Sequence, residues 1–283
     1  MKRRTVLIGG GALALAGIGT WAARPEEMGA MHDGYFNGLA AALKRAGLGK
    51  PVLVVDRQRL EANIAAIRRS TDAAKLPLRV VAKSLPAPQL LDTIMRGMGT
   101  QRLMVFSADM LRQLLPLHPG ADYLGGKPLP VSEFVRVVSD PATDPGPRMQ
   151  WLIDTPQRLS QYAEAAKARG MPLRVNLEID VGLHRGGFAD GTALAEALAL
   201  ARAAGVEVAG LMGYEPHVPK MPDADAAWAD AQGAYAKAIA VLKAAGYDPA
   251  RLTLNSAGSP TFRRHCRGTV ANEVSVGSAF VKR

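Results

Sequence analysis

The sequence predicts an α/β protein whose parallel strands and crossover helices close into a (β/α)₈ barrel. From residue 51 onward, short β-branched runs alternate with stretches of helical apolar spacing, and polar or glycine-containing loops separate them. Eight strand candidates lie within residues 78–276, a spacing that favours a barrel over an open doubly wound sheet. No G-x-G-x-x-G sequence follows the first strand and no Walker A sequence occurs, which removes the main support for a dinucleotide-binding or P-loop fold.

The predicted elements follow one another regularly along the chain. A further strand candidate at residues 51–56 leads into a helix at 57–74. Gly170, Gly205 and Gly246 each stand where a helix is expected to stop before the next strand. The barrel strands are predicted at residues 78–82, 103–106, 122–124, 149–153, 173–179, 206–212, 252–254 and 273–276, with helices at 87–98, 192–204 and 223–245 among those between them.

The composition bounds the class of protein. With 48% apolar and 21% charged residues among 283, the chain can bury a full core, which excludes a disordered or collagen-like protein. A single cysteine excludes an internal disulfide framework and any site of four cysteines. The net charge of +10 is partly due to four basic residues in the first 25, so the rest carries 31 basic against 25 acidic residues. Since no basic run with interleaved aromatic residues occurs there, a nucleic-acid partner is not expected.

The N-terminal residues 1–25 have the pattern of an export signal. The basic head Lys2-Arg3-Arg4 precedes an apolar stretch over residues 6–20, and the arginine pair followed by Thr5-Val-Leu resembles a twin-arginine signal. We therefore expect a periplasmic protein. An uncleaved membrane anchor is the alternative, although about 14 apolar residues fall short of the ~20 that span a bilayer. Residues 26–50 form a lead-in region with a helix, and residues 51–283 form the barrel.

In a barrel of this kind, functional residues lie at the C-terminal ends of the strands. Lys83 follows the first apolar strand, where partial desolvation lowers the pKa of an amine and frees it to attack a carbonyl. An ordinary surface lysine is the alternative for any lysine taken alone. The loop at residues 255–261 offers backbone N–H groups and hydroxyls that suit a phosphate, or forms an ordinary turn.

Two further strand ends carry candidate residues. Arg185 lies among glycines and can bring a cation close to a ligand, or form a surface ion pair. His217 can stack on a ring or move a proton, or serve a structural role. A reactive lysine and a phosphate cradle at one barrel mouth together indicate pyridoxal 5′-phosphate held as an imine.

The order of these motifs resembles the fold-type III pyridoxal-phosphate enzymes, specifically the D-threonine aldolase and D-serine dehydratase-like group related to alanine racemase. The resemblance covers about residues 50–280 and implies a barrel of the alanine racemase N-terminal type. The motifs that carry it are Arg79-Val-Val-Ala-Lys83-Ser84, Leu177-Glu-Ile-Asp-Val-Gly-Leu-His-Arg185-Gly-Gly, Gly210-Leu-Met-Gly-Tyr214-Glu-Pro-His217 and Asn255-Ser256-Ala-Gly-Ser259.

The resemblance also implies a role for each matched residue. Lys83 would hold the cofactor and move protons at the substrate α-carbon, and Arg185 would approach the ring near its phenolic oxygen. Tyr214 and His217 would line the cofactor, with the imidazole near the ring face as a second catalytic group. The phosphate cradle would consist of Ser256, Gly258, Ser259, Gly277 and Ser278.

Two departures from the family pattern limit these expectations. The relatives usually carry an Arg-Pro-Gly run on the last strand, whose arginine faces the pyridine nitrogen, and here the stretch reads Glu273-Val-Ser275-Val-Gly277. The aldolases and dehydratases also have a C-terminal β-domain of roughly a hundred residues that supplies metal ligands, and the sequence ends at Arg283. We therefore expect no metal ligands in these residues, and we expect cofactor binding with slow turnover.

The resemblance leaves two functions open. The first is a lyase or racemase of D-amino acids, in which retro-aldol cleavage, β-elimination and racemisation all remain open. The second is a non-catalytic carrier of pyridoxal phosphate, or an inactive truncated member of the family. The sequence leaves the substrate side chain open. Relatives of this kind are often dimers, so a homodimer is also an open alternative.

Overall fold

The computed structural model describes residues 32–85 and 87–282, and the chain divides into two units, residues 1–54 and 55–283. The described part of the first unit contains helix α1, Gly34–Arg45, which begins where the Asp33 carboxylate accepts a hydrogen bond from the Phe36 N–H. The predicted export signal lies outside the described residues. Among those that are described, no helix has the length and apolar character needed to cross a membrane.

The second unit is a closed barrel of eight parallel strands in sequence order, as predicted. The first and last strands close it, with Leu78 level with Val274 and Arg79 level with Ser275. The strands are β1 Leu78–Val81, β2 Arg102–Val105, β3 Asp122–Gly125, β4 Met149–Ile153, β5 Arg174–Glu178, β6 Glu207–Met212, β7 Thr253–Ser256 and β8 Glu273–Val276.

Helices alternate with these strands. Several of them begin just after a residue whose side chain accepts a hydrogen bond from a backbone N–H of the first turn. Among these capping residues are Asp56, Ser107, Thr155 and Asp190. The three predicted stop glycines have φ between +62° and +85° just beyond a helix, a conformation that glycine adopts without strain. The helices are α2 Arg57–Ala73, α3 Pro88–Met98, α4 Ala108–Leu114, α5 Val131–Val138, α6 Pro156–Lys167, α7 Gly191–Ala203, α8 Ala224–Ala244 and α9 Phe262–His265.

The side chains inside the barrel form two layers, because alternate residues of each strand point inward. The layer nearer the N-terminal ends of the strands is polar and includes Arg79, Gln150 and Glu273, all buried. The layer nearer the C-terminal ends holds a small apolar cluster, to which Met104 and Met212 belong. The larger apolar core lies between the strands and the surrounding helices. The loops at the C-terminal ends of the strands therefore lie next to a buried apolar layer of the barrel.

The predicted strand at residues 51–56 is wrong. These residues form neither strand nor helix, although Asp56 caps the helix that follows. The apolar side chains from Val52 to Val55 are exposed, Leu53 by 94%. A valine-rich run has the local preference for a strand, but a strand forms only where a neighbour pairs with its N–H and C=O groups.

Candidate active site

A cleft of about 370 Å³ opens at the C-terminal ends of the barrel strands. Most of the residues predicted from the sequence line it: Lys83, Arg185, Tyr214, Gly258, Ser259, Gly277 and Ser278. They come from the loops after strands β1, β5, β6, β7 and β8, so only closure of the barrel brings them together.

Lys83 lies in a single 3₁₀ turn, Ala82–Ser84, directly after β1. Its Nζ atom is 3.9 Å from the centroid of the Phe106 ring. Partial burial lowers the pKa of this amine, and the positive charges of Arg185 and Lys127 lower it further. A larger fraction of Lys83 is therefore neutral near pH 7 than for an ordinary lysine, as a nucleophilic amine requires.

Arg185 is held in place by a carboxylate behind it. Its Nη2 donates to the Glu178 Oε1 at 2.7 Å, and the guanidinium lies 5.2 Å from the centroid of the Tyr214 ring. The loop reaches this position through Gly187, whose φ is +94° and whose missing side chain leaves room for the Glu178 carbonyl. The ion pair and the ring together fix the direction of the guanidinium.

Tyr214 packs between Arg185 and the loop after β7. A Cβ atom on Gly258 would lie 2.6 Å from the Tyr214 ring, so the ring needs glycine there. Burial raises the pKa of the Tyr214 hydroxyl, the charge of Glu215 adds to this, and the positive charge of Arg185 opposes it. The phenol therefore stays protonated near neutral pH and can donate a hydrogen bond.

The loops after β7 and β8, which contain most of the residues predicted for the phosphate cradle, are joined by hydrogen bonds. The Ser259 Oγ accepts hydrogen bonds from the N–H groups of Gly277 and Ala279, at 3.3 and 2.9 Å. A side chain on Gly277 would collide with Ser84, 2.9 Å from its Oγ, so the loop after β1 closes against the same point. Loops after the seventh and eighth strands, with a short helical turn, form the usual phosphate site of such barrels.

Ser256 and His217 are placed differently from the other predicted residues. The Ser256 hydroxyl donates to a buried carboxylate, that of Glu215, at 2.8 Å. The Nδ1 atom of His217 is buried without a hydrogen-bond partner among the described residues. The imidazole lies against Gly182, and a Cβ atom added to that glycine would be 3.1 Å from the His217 Nε2. Neither side chain is part of the cleft lining.

Sequence reasoning missed the residue that ties these loops together, Glu215. It is 1% exposed and accepts hydrogen bonds from Ser256, from the Thr261 hydroxyl at 2.5 Å and from the His265 Nε2 at 3.1 Å. Burial alone would raise the pKa of Glu215, but the hydrogen bonds and the charge of His265 outweigh it and lower the pKa. Its partners lie 41 to 50 residues away, so no local pattern indicates them.

The structure shows no arrangement of three or more His, Cys, Asp or Glu side chains suited to a metal ion within the described residues. His265, which the sequence places beside Cys266, is buried and bonded to Glu215 and to Thr269.

The fold is that of the fold-type III pyridoxal-phosphate proteins. Residues 55–282 match the family described as the alanine racemase N-terminal domain, and the chain belongs to that family. The resemblance seen in the sequence is thus confirmed. No curated protein sequence matches the chain.

Three solved structures show the same fold at low identity. A D-threo-3-hydroxyaspartate dehydratase from a Delftia species is 19% identical with a TM-score of 0.71, over 82% of this chain and 61% of its own. A D-threonine aldolase from Filomicrobium marinum is 23% identical with a TM-score of 0.72, over 83% and 63%. An alanine racemase from Clostridium difficile in complex with cycloserine is 14% identical with a TM-score of 0.66, over 81% and 62%. The chain thus spans about three fifths of the length of these proteins.

Proposed function

We propose that this protein is a pyridoxal-phosphate-dependent enzyme of D-amino-acid metabolism, a lyase of the aldolase or dehydratase kind or a racemase. The observation that carries the proposal is the presence of Lys83, with its lowered pKa, in the same cleft as the cradle of Ser259 and Gly277. The names of the three structural neighbours, a dehydratase, an aldolase and a racemase, support the substrate class.

The residues of the cleft fit this cofactor. The amine of Lys83 would bond to its aldehyde carbon, and the loops of Gly258, Ser259, Gly277 and Ser278 would hold its phosphate through N–H groups and hydroxyls. When bound, the cofactor withdraws electrons from the α-carbon of an amino acid, which weakens the bonds to the α-proton and to Cβ.

The protein's own residues would direct this chemistry. The neutral amine of Lys83 can accept a proton at the substrate α-carbon and return it, which is general acid–base catalysis. Arg185, fixed by Glu178, would direct its N–H groups at an anionic oxygen of the cofactor. Met104, Met212 and Phe106 line the cleft with apolar surface, which would reduce the contact of water with the reacting carbon.

The first prediction is that Lys83 carries the cofactor. Protein loaded with pyridoxal phosphate and reduced with borohydride should give one labelled peptide, the one that contains Lys83. The variant Lys83→Ala should take up no covalent label, because the amine is the attacking group. The matched variant Lys220→Ala, at another lysine of the cleft, should still be labelled. A label on a lysine other than Lys83 would overturn the assignment.

Turnover separates an enzyme from a carrier. The loaded protein should process at least one of D-threonine, D-serine or D-alanine. A lyase specific for D-amino acids should leave L-threonine and L-serine unchanged, whereas a racemase should interconvert the two enantiomers of its substrate. A protein that binds the cofactor at Lys83, processes none of them and passes the cofactor to another apoenzyme would instead be a carrier.

We also propose that the twin-arginine signal exports the protein to the periplasm, on the sequence Lys2-Arg3-Arg4 alone. Replacing Arg3 and Arg4 with lysine keeps the charge and removes the recognised pair, so the variant should remain in the cytoplasm. Export of that variant at the normal rate, measured by cell fractionation, would show that another route is used.

A further inference from the structure

A chain of hydrogen bonds runs from the polar layer inside the barrel up to the floor of the cleft. It begins at Arg79, which is 1% exposed and donates from Nε and Nη2 to both oxygens of Glu273, at 2.7 and 3.1 Å. Arg102 lies 3.3 Å from the same carboxylate. Because two guanidinium groups face it, Glu273 acts in this chain as a carboxylate that only accepts hydrogen bonds.

The next member, Asn255, is oriented by this carboxylate. Its Nδ2 lies 2.7 Å from the Glu273 Oε1 and donates to it. The opposite orientation of the amide would place two oxygen atoms at that distance with no proton between them, so the network excludes it. The Asn255 Oδ1 atom must therefore face Ser275 as an acceptor.

Ser275 is in turn fixed by Asn255. Its Oγ lies 3.0 Å from the Asn255 Oδ1 and donates its only proton there. The hydroxyl oxygen then has only lone pairs to offer, so Ser275 can accept a further hydrogen bond but cannot donate one. The always charged arginine at the start of the chain thus fixes the polarity of a hydroxyl three hydrogen bonds away.

Ser275 belongs to the lining of the cleft, and it lies on the barrel side of Lys83. Its register partner in β1 is Arg79, which stands four residues before Lys83 in the sequence, and Ser275 itself stands two residues before Gly277 of the cradle. The floor around it also includes Val81 and Met212, which offer no strong hydrogen-bonding group. In pyridoxal phosphate the ring nitrogen lies across the ring from the aldehyde carbon, so a cofactor joined to Lys83 presents that nitrogen away from the lysine.

We propose that Ser275 faces the ring nitrogen of the bound cofactor and accepts a hydrogen bond from it, so that this site holds the nitrogen in its protonated form. The inference rests on the proposed function, because it assumes that pyridoxal phosphate binds at Lys83. It adds that the site favours the cofactor's more strongly electron-withdrawing form. A substrate carbanion next to the ring is stabilised further when the nitrogen carries a proton.

The test reads the nitrogen directly. The full-length protein is loaded with cofactor labelled with ¹⁵N in the ring, and the ¹⁵N chemical shift is followed with pH for the parent, Ser275→Ala and Ser275→Thr. The parent should show a protonated nitrogen near neutral pH. In Ser275→Ala the deprotonation midpoint should fall by roughly one to two pH units, the effect of losing a hydrogen bond to a charged group. Ser275→Thr keeps the hydroxyl and should behave like the parent.

The outcomes separate the two claims. Thermal unfolding of each variant confirms that it is folded before its spectrum is compared. A cofactor joined to Lys83 whose nitrogen is unprotonated near neutral pH, or whose titration is the same in Ser275→Ala, would overturn this inference and leave the proposed function standing. Failure of the parent to bind the cofactor at all would overturn both.

Discussion

Glu215 helps to fix the shape of the cleft although it does not line it. Glu215 is buried beneath the loops after β6 and β7 and holds three hydroxyl or imidazole groups at once. Lys83, Arg185 and Ser259 could be found from the sequence, since each follows a strand in a recognisable motif. Glu215 stands in such a motif too, but its partner His265 is 50 residues away and the pairing exists only in the folded barrel.

We predict that Glu215→Gln destabilises the protein by about 1–3 kcal/mol near pH 7, since it replaces a charged acceptor by a neutral amide in a buried network. The surface variant Glu164→Gln should change stability by no more than ~0.5 kcal/mol. Denaturant unfolding of both variants and the parent measures the difference. In Glu215→Gln the affinity for pyridoxal phosphate should also fall, because the loop of Ser259 loses its support.

The lowered pKa of Glu215 determines how its contribution to stability changes with pH. Its pKa in the folded protein is lowered, so its contribution is fully present above the ordinary glutamate pKa of about 4.3 and is lost as the pH falls through the lower folded value. The difference in stability between parent and Glu215→Gln should therefore shrink in acid. A difference that grows as the pH falls would contradict the lowered pKa.

At the scale of elements, the sequence predicted what local patterns determine. The strands at residues 149–153 and 273–276 have the predicted bounds, and the others differ by one or two residues. The strand predicted at residues 51–56 does not form, because a strand needs a neighbouring strand to pair with. No local sequence pattern shows whether such a neighbour exists. Element type is local in this protein, whereas pairing depends on the whole chain.

Two glycines inside regular elements test the packing of the barrel. A Cβ on Gly210 in β6 would lie 1.9 Å from the Thr253 carbonyl oxygen of β7, whereas nothing lies within 4 Å of one on Gly233 in helix α8. Gly210→Ala should therefore cost about 3 kcal/mol or more through overpacking. Gly233→Ala should stabilise the protein by roughly 0.5–1 kcal/mol, because alanine favours a helix. Thermal unfolding of the pair checks both signs, and a neutral Gly210→Ala would mean that the strands can separate to admit the methyl group.

At the scale of the whole molecule, the buried ion pair of Arg79 and Glu273 joins the first strand to the last. Arg79→Leu leaves the Glu273 carboxylate buried with the half-exposed Arg102 as its remaining charged neighbour, so we expect a loss of about 3–5 kcal/mol. Arg102→Leu removes the outer partner of the same carboxylate and should cost less than about 1 kcal/mol. Equal losses in the two variants, measured by denaturant unfolding, would show that the inner pair has no special role in closing the barrel.

The pairing of Leu78 with Val274 also has a consequence for the synthesis of the chain. The ribosome must add nearly two hundred residues after β1 before the strand that completes the barrel exists. At about 5–20 residues per second, the nascent chain spends roughly 10–40 seconds with the open edge of β1 unpaired. Unpaired strand edges promote association between chains. Chaperones that shield nascent chains would therefore be needed most in that interval, and ribosome pausing ahead of β8 would lengthen it.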